Sequence, residues 1–321
     1  MTALYAGIDL GGTTIDGVLA DDAGRVVAHA QVATESHAGP AAVLERIAGL
    51  VEELSLAAGS SALAVGVGCP GLVDVRAGVT RFFPNLPTQW RDVPAAGVLA
   101  NRLKRPVYLL NDVRAATLGE LVFGHGRDVQ TMAFFSLGTG VGGGLVIDGK
   151  LRLGPLGAAG ELGHQTILPH GPPCGCGNSG CLETLASGPA ITAEGVRLML
   201  SGQAPRLYEL AGGNPANVSP RTMAAAAREG DAGAAGAVSR AAGHLGVGVA
   251  NVVTILHPQL VVLGGGVAEM GDLLLAPVRR VLRERVRMFP TDDVRVELSL
   301  LGPRAGALGG AALALRGPAN L

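Results

Sequence analysis

One histidine and three cysteines fall within residues 164–181, in the runs Glu161-Leu-Gly-His164, Cys174-Gly-Cys176 and Cys181-Leu-Glu183. Imidazole and thiolate are the donors that zinc prefers, and four of them close a tetrahedron with no position left for water. His164, Cys174, Cys176 and Cys181 therefore read as a structural zinc site. The carboxylates Glu161 and Glu183 flank these donors without being needed by the metal. The stretch reads as a metal-pinned loop that holds polar side chains toward a substrate. The competing reading is a surface loop with incidental thiols and a packed histidine, but the chain has only one further cysteine, Cys69.

Two other places could carry chemistry. Asp9-Leu-Gly11-Gly12-Thr13-Thr14 puts a carboxylate at the end of an apolar run and follows it with a glycine turn and two hydroxyls. Glycines let backbone N–H groups approach a phosphate without a Cβ in the way. The segment lacks the Gly-Lys-Ser/Thr of a Walker loop, and it feeds a strand rather than the helix of a dinucleotide fingerprint. Gly138-Thr139-Gly140-Val-Gly-Gly-Gly144 and Gly264-Gly265-Gly266 repeat the theme after apolar runs. Together the three turns suggest a nucleotide in a cleft between domains. Asn111-Asp112 closes another apolar run, where open α/β sheets display ligand-binding groups. Asp112 could accept the proton of a substrate hydroxyl as it attacks a γ-phosphoryl group, with Asn111 holding a neighbouring hydroxyl. Asp112 could equally cap a helix starting near Val113.

The elements that must position these groups alternate between strand and helix. Strands are expected at Leu4–Asp9, Ile15–Ala20 and Val26–Val32, with a hairpin turn at Asp21–Gly24. Val43, Leu44, Ile47, Leu50, Val51 and Leu54 recur at helical spacing opposite Glu45, Arg46, Glu52 and Glu53. Strands follow at Leu63–Val67 and Pro106–Leu110, separated by a short helix over Pro94–Leu103. Met132–Leu137, a glycine–threonine turn over Gly138–Gly144, Leu145–Ile147 and the hairpin Asp148-Gly149 then repeat the opening pattern about 130 residues later, as a duplicated fold would. Residues 195–236 are alanine-rich and helical in tendency, broken at Gly212–Pro215. Val247–Leu256 fits a buried helix stopped by Pro258. Leu260–Leu263 and Val294–Leu298 are further strands. Ala305–Leu315 is a closing helix that its glycines should weaken.

The 321 residues suggest two domains. Apolar residues make up 48% and aromatics only 3%, so Ala, Leu, Val and 50 glycines must fill the core. Glycine in that amount, with no period, favours close backbone approach rather than a fibre. The net charge of -1 and the absence of a basic tract give no nucleic-acid footprint. The first apolar run has no basic flank or cleavage site, so a signal peptide is not expected, and Leu245–Leu256 is too short to span a bilayer. A cytoplasmic location is expected, where thiols ligate metal rather than form disulfides. Cys69 reads as a small buried apolar residue.

The chain resembles the ROK family of sugar kinases and repressors over nearly its full length, and within it the bacterial glucokinases. The resemblance is carried by Asp9–Thr13, Gly66–Asp74, Pro84-Asn85-Leu86, Asn111-Asp112, Gly138–Gly143 and, most specifically, Glu161–His164 with Cys174–Glu183. It implies a two-lobed actin-like, ribonuclease-H-like ATPase fold of the α/β class with an interlobe cleft. The small lobe would span residues 1–112, completed by a C-terminal helix at 303–321, and the large lobe 113–302 with the zinc loop at 164–181. Asp112 would be the catalytic base. Glu161, His164 and Glu183 would bind sugar hydroxyls with Asn111 and Asn85. Asp9, Gly11, Gly12, Thr13, Thr14, Thr139 and Gly140 would line the ATP phosphates with Mg²⁺ between them, and Gly264 and Gly265 would flank the nucleoside. At Thr14 many members carry lysine, so this chain lacks a positive charge beside the phosphates. Zinc would rest on His164, Cys174, Cys176 and Cys181.

The expected activity is ATP-dependent phosphorylation of glucose at O6. The alternatives are a kinase for another hexose or N-acetylhexosamine and a non-catalytic sugar-responsive regulator. A repressor of this family would carry an N-terminal helix-turn-helix, for which a first strand at Leu4 leaves no room. The expected partners are sugar and ATP, with neither nucleic acid nor membrane, and the resemblance implies a homodimer or larger homo-oligomer.

Overall fold

The computed structural model describes residues 2–83, 86–87 and 90–321. Asn85 lies outside the described residues. In chain order the first elements are β1 (Leu4–Leu10), β2 (Thr14–Asp21), β3 (Val26–Ala33), α1 (Gly39–Ala57), β4 (Val65–Cys69), β5 (Leu72–Asp74), β6 (Val79–Phe82), α2 (Ala95–Leu103), β7 (Val107–Asn111) and α3 (Asp112–Phe123). There follow β8 (Met132–Leu137), β9 (Val141–Ile147), β10 (Lys150–Leu151), α4 (Glu183–Ala186), α5 (Gly188–Leu200), α6 (Pro205–Leu210), α7 (Pro220–Arg228) and α8 (Ala232–Leu256). The chain ends through β11 (Leu260–Gly264), α9 (Asp272–Arg285), β12 (Arg295–Leu298) and α10 (Ala305–Arg316).

Two five-stranded sheets have the orders β3-β2-β1-β4-β7 and β10-β9-β8-β11-β12, and β5 pairs with β6. In the first, β1–β2 and β2–β3 are antiparallel while β1–β4 and β4–β7 are parallel. In the second, β9–β10 are antiparallel and β8–β11 and β11–β12 parallel. The same meander followed by parallel strands thus occurs twice, as the recurring sequence pattern implied. The chain divides into two compact units, Met1–Gln130 with Gly144–Gly160 and Leu300–Leu321, and Thr131–Gly143 with Glu161–Ser299.

In the first unit the helical stripe of α1 is buried as its spacing requires: Val43, Leu44, Ile47, Leu50, Val51 and Leu54 all face inward. Burying each such side chain contributes about 1.5–3 kcal/mol. On its polar side, Glu45 and Glu52 accept from Arg102 of α2 at 3.1 and 2.6 Å. The closing helix is complete over Ala305–Arg316, and its glycines do not break it. A Cβ at Gly309 would lie 2.0 Å from the Ala115 carbonyl oxygen of α3, and one at Gly66 would lie 2.0 Å from the Gly310 oxygen. Gly309 and Gly310 each cost about 1 kcal/mol of helix propensity in α10. In return α10 lies backbone-to-backbone on α3 and on the first sheet. Glu120, fully buried in α3, accepts the Leu301 N–H at 3.1 Å and so ties down the segment leading into α10.

In the second unit one buried carboxylate organises the helical layer. Asp231 caps α8 through Ala234 N–H at 2.9 Å, and its other oxygen accepts Arg206 and Leu207 N–H at 3.0 and 3.1 Å, where α6 begins. The break expected at Gly212–Pro215 is real, and the helical stretch resolves into α5, α6, α7 and α8. The segment Val247–Leu256 is the end of α8, which stops at His257 in the left-handed conformation (φ 42°) before Pro258. The second glycine turn is shorter than the sequence suggests. The turn is only Gly138–Gly140, because β9 begins at Val141 and takes Gly142–Gly144 into the strand. A Cβ on Gly144 would lie 2.1 Å from the Thr117 hydroxyl of α3, so a glycine in the strand makes room for the helix. Among the described residues no helix is long and apolar enough to cross a membrane.

Candidate active site

The parallel strands β1, β4 and β7 end together. Asp9 pairs in register with Gly68, and Cys69 with Asn111. That register puts Asp9 and the Asn111-Asp112 pair at the carboxyl edge of one sheet, where α/β folds display functional groups. The helix cap belongs to Asn111. Its Oδ1 accepts Arg114 N–H at 3.2 Å, while Asp112 is the first helical residue and accepts Val113 N–H at 2.8 Å. The turn after β1 is closed by Gly11 N–H donating to the Thr14 oxygen at 3.0 Å. Buried Thr34 pins this turn, its hydroxyl donating to the Gly11 carbonyl at 2.8 Å and its N–H to the Thr13 carbonyl at 2.9 Å. Gly12, Thr13 and Thr14 stay exposed. Thr34 escaped the sequence reading because a lone threonine after a strand has no motif. Cys69 is buried as expected, and burial pushes its thiol well above the usual range, helped by Asp112 and Asp9.

Asp9 carries an unfavourable charge. Burial, then the nearby Asp112 and Asp16, push its carboxyl up from 3.8 to about 7. A hard divalent cation with oxygen ligands suits such a carboxylate group, which is the chemistry expected of Mg²⁺ accompanying a nucleotide. Without a cation the ionised side chain destabilises the fold. Because the folded value lies above the unfolded one, its favourable contribution is complete below about pH 4 and lost as pH rises through about 7. Asp9→Asn should therefore stabilise the nucleotide-free, metal-free protein at pH 8 by about 2–4 kcal/mol, the lower end allowing for residual contact with water. Urea unfolding of both proteins from pH 4 to 8 measures this. The gap should widen with pH and level off above about 7; a gap independent of pH would refute it.

In the second unit, Glu161 opens a 3-10 turn over Leu162–His164, closed by His164 N–H to the Glu161 oxygen at 3.1 Å. Residues three apart in such a turn share a face. The donor atoms of His164, Cys174, Cys176 and Cys181 all lie within 4.8 Å of one another. His164 Nδ1 is 3.7 Å from Cys174 Sγ, and Cys176 Sγ is 3.7 Å from Cys181 Sγ. A tetrahedral zinc with its usual bond lengths needs edges of about 3.8 Å between sulfurs and about 3.6 Å between sulfur and nitrogen. The four residues fit that ion. Burial, then the neighbouring thiols, push Cys181 up to about 12, while hydrogen bonding from the Asn178 backbone, then Cys174, lowers exposed Cys176. A cation that takes thiolate and imidazole donors suits such a cluster.

The rest of this part of the site gathers around Val141. Glu183 Oε2 accepts the Val141 N–H at 2.9 Å, and its Oε1 lies 3.9 Å from Cys174 Sγ. A Cβ on Gly163 would sit 1.8 Å from the Val141 oxygen, so the Glu161–His164 turn packs directly on the start of β9. Glu183 thus joins the thiol cluster to the turn Gly138–Gly140 that carries exposed Thr139. This structural duty was not legible in the sequence. Gly264 closes β11 opposite Ser136, and Gly265 follows at φ 82° against the Leu137 backbone, so both glycine turns stand at one end of the second sheet. Two more residues support the cluster. Gln165 Nε2 donates to the Leu162 oxygen at 2.8 Å, and Asn251 of α8 donates to Gln165 Oε1 at 3.1 Å.

The profile described as ROK family matches residues 5–317. A glucokinase of Thermotoga maritima is 37% identical over 310 residues, 96% of each chain. A xylose repressor of Caldicellulosiruptor bescii is 32% identical over 94% of this chain and 76% of its own length. A crystal structure of a ROK family glucokinase from Streptomyces griseus, in complex with glucose and AMPPNP, is 34% identical, with a TM-score of 0.86 over 98% of this chain and 100% of the other. The mixed sheets and packed helices are the actin- and hexokinase-like α/β fold shared with such structures. By its sequence over almost its whole length, and by its fold, the chain belongs to the ROK family.

Proposed function

We propose that the chain is a glucokinase, transferring the γ-phosphoryl group of ATP to the C6 hydroxyl of glucose. ATP-dependent phosphorylation of a sugar is supported by kinase relatives such as the Thermotoga glucokinase and by the relative that holds glucose with AMPPNP. The observation that carries catalysis over mere sensing is the pairing of Asp9 and Asp112 at one sheet edge. A sugar sensor needs neither a base nor a group suited to a nucleotide's cation.

In this reading Asp112 takes the C6 hydroxyl proton as the oxygen attacks phosphorus in line. Its first-turn place in α3, with one oxygen on Val113 N–H, holds the carboxylate in a single orientation. Asn111, Glu161, His164 and Glu183 bind the remaining hydroxyls, with Asn85 as the resemblance implies. His164 offers Nε2, because its Nδ1 faces the thiols. Fixed acceptors and donors reject a sugar that leaves one of them unpaired. Gly11–Thr14 and Thr139-Gly140 cradle the phosphates, Gly264 and Gly265 flank the nucleoside, and Asp9 faces the cation. Mg²⁺, when bound with ATP, neutralises charge on the transferred phosphate. His164, Cys174, Cys176 and Cys181 would hold a structural zinc that takes no part in the transfer.

The test is ADP release with ATP across glucose, mannose, fructose, N-acetylglucosamine and N-acetylmannosamine. Glucose should give the highest kcat/KM. A value for an acetylated sugar tenfold higher would overturn the substrate and leave the kinase mechanism. No ADP release with any sugar would overturn the kinase reading and favour a sensor like the xylose repressors.

A further inference from the structure

Arg114 has no place in the motifs above, yet among the described residues it is the most deeply buried cation, only 3% exposed. It sits two residues after Asp112 in a helix whose other buried positions are mostly small or apolar. A guanidinium at that depth costs several kcal/mol unless its donors are met. Its Nη1 donates to Asn111 Oδ1 at 2.8 Å, the oxygen that also accepts Arg114 N–H. Its Nη2 donates to the Ala159 carbonyl at 3.1 Å. Asn111 Nδ2 in turn donates to the Gly71 carbonyl at 3.1 Å.

These bonds have a directional consequence. The Asn111 amide cannot flip, because a flip would set its NH₂ against the guanidinium and its oxygen against the Gly71 carbonyl. Asn111 must therefore meet a ligand as a donor through Nδ2. The same cation grips the backbone two residues before Glu161, in a segment closed by Ala159 N–H to the Leu153 oxygen at 2.9 Å. Both Asn111 and Glu161 are proposed sugar-binding residues, so this inference rests on the kinase reading.

We propose that Arg114 is a positioning residue for sugar recognition: its planar fork sets the amide of Asn111 and anchors the chain entering Glu161. A lysine could not do both, since an ammonium lacks the flat, two-armed geometry that reaches an amide oxygen and a carbonyl together.

The experiment compares wild type with Arg114→Met, which keeps the stem and removes every donor, and with Arg114→Lys. Sugar and ATP KM, kcat, calorimetric sugar Kd and hydrogen–deuterium exchange over residues 153–160 are measured. Arg114→Met should weaken sugar binding about 10–100-fold and leave the ATP KM within about twofold, since one or two directed hydrogen bonds are lost on the sugar side alone. Exchange over 153–160 should accelerate. Arg114→Lys should fall between the two. A folded Arg114→Met with sugar Kd within twofold of wild type overturns the proposal. Equal weakening toward sugar and ATP also overturns it, because that is the mark of general loosening. Should Arg114→Met fail to fold, Arg114→Lys decides: an unchanged sugar Kd overturns the proposal, and a selective sugar defect supports it. If wild type itself neither binds nor phosphorylates any sugar of the panel, the kinase reading fails first and the role of Arg114 fails with it.

Discussion

Asp112→Asn should give a folded protein that still binds sugar but turns over about 10²–10⁴-fold more slowly. Asparagine keeps the shape of the side chain and can still accept the Val113 N–H that Asp112 Oδ1 accepts at 2.8 Å, so the start of α3 should survive. The cap also survives, because it belongs to Asn111. What disappears is the basic carboxylate to which the proposed mechanism gives the hydroxyl proton. Sugar KM should move far less than kcat, the pattern of an interaction made mainly in the transition state. Steady-state kinetics with saturating ATP, with sugar Kd by calorimetry, checks both halves. Turnover within tenfold of wild type would remove Asp112 from the role of base. A matched loss of sugar affinity would make it a binding residue.

Removing the metal should have the second largest effect. Protein purified without added metal should contain one zinc per chain by elemental analysis. Cys176→Ser should release it. Cys176 is exposed, so this substitution removes a ligand while leaving little cavity. With the ion gone, nothing ties Cys174, Cys181 and His164 together, and Cys181, buried and pushed up to about 12, stays protonated. The loop then loosens at His164 and at Glu183, whose Oε1 lies 3.9 Å from Cys174 Sγ and whose Oε2 holds the Val141 N–H. Sugar affinity should fall about 10–100-fold, the loss expected when one or two charge-assisted hydrogen bonds are misplaced. The turn Gly138–Gly140 beside Val141 should become more mobile in hydrogen exchange. The second sheet, with its own apolar core, should stay folded. Active protein free of zinc would contradict the four-ligand reading outright, and zinc retained by Cys176→Ser would exclude Cys176 as a ligand.

Much of this chain is legible in its sequence alone. The gathering of His164, Cys174, Cys176 and Cys181, whose donor atoms lie within 4.8 Å of one another, was legible because a candidate metal site concentrates rare residue types within a few positions. The helix α1 was legible because Val43, Leu44, Ile47, Leu50, Val51 and Leu54 repeat at the helical period, and the strands because apolar runs stop at glycine or at Asn111-Asp112. The duplicated topology followed from a pattern of strand, glycine turn, strand and hairpin that occurs twice. Other features had no signature, because they arise between residues far apart in sequence. The glycines of α10 looked like defects to a propensity scale, yet they are where the helix touches α3 and the first sheet backbone-to-backbone. The glycines after Val141 looked like a turn, and packing of Gly144 on Thr117 made them a strand. Thr34 on the Gly11 carbonyl, Glu183 on the Val141 N–H and Arg114 between Asn111 and Ala159 are single side chains reaching 23, 42 and 45 residues along the chain. A sequence determines which groups are present and which local shapes they favour. Which hydrogen bond each polar side chain makes is decided only when folding excludes water and leaves it one partner within reach.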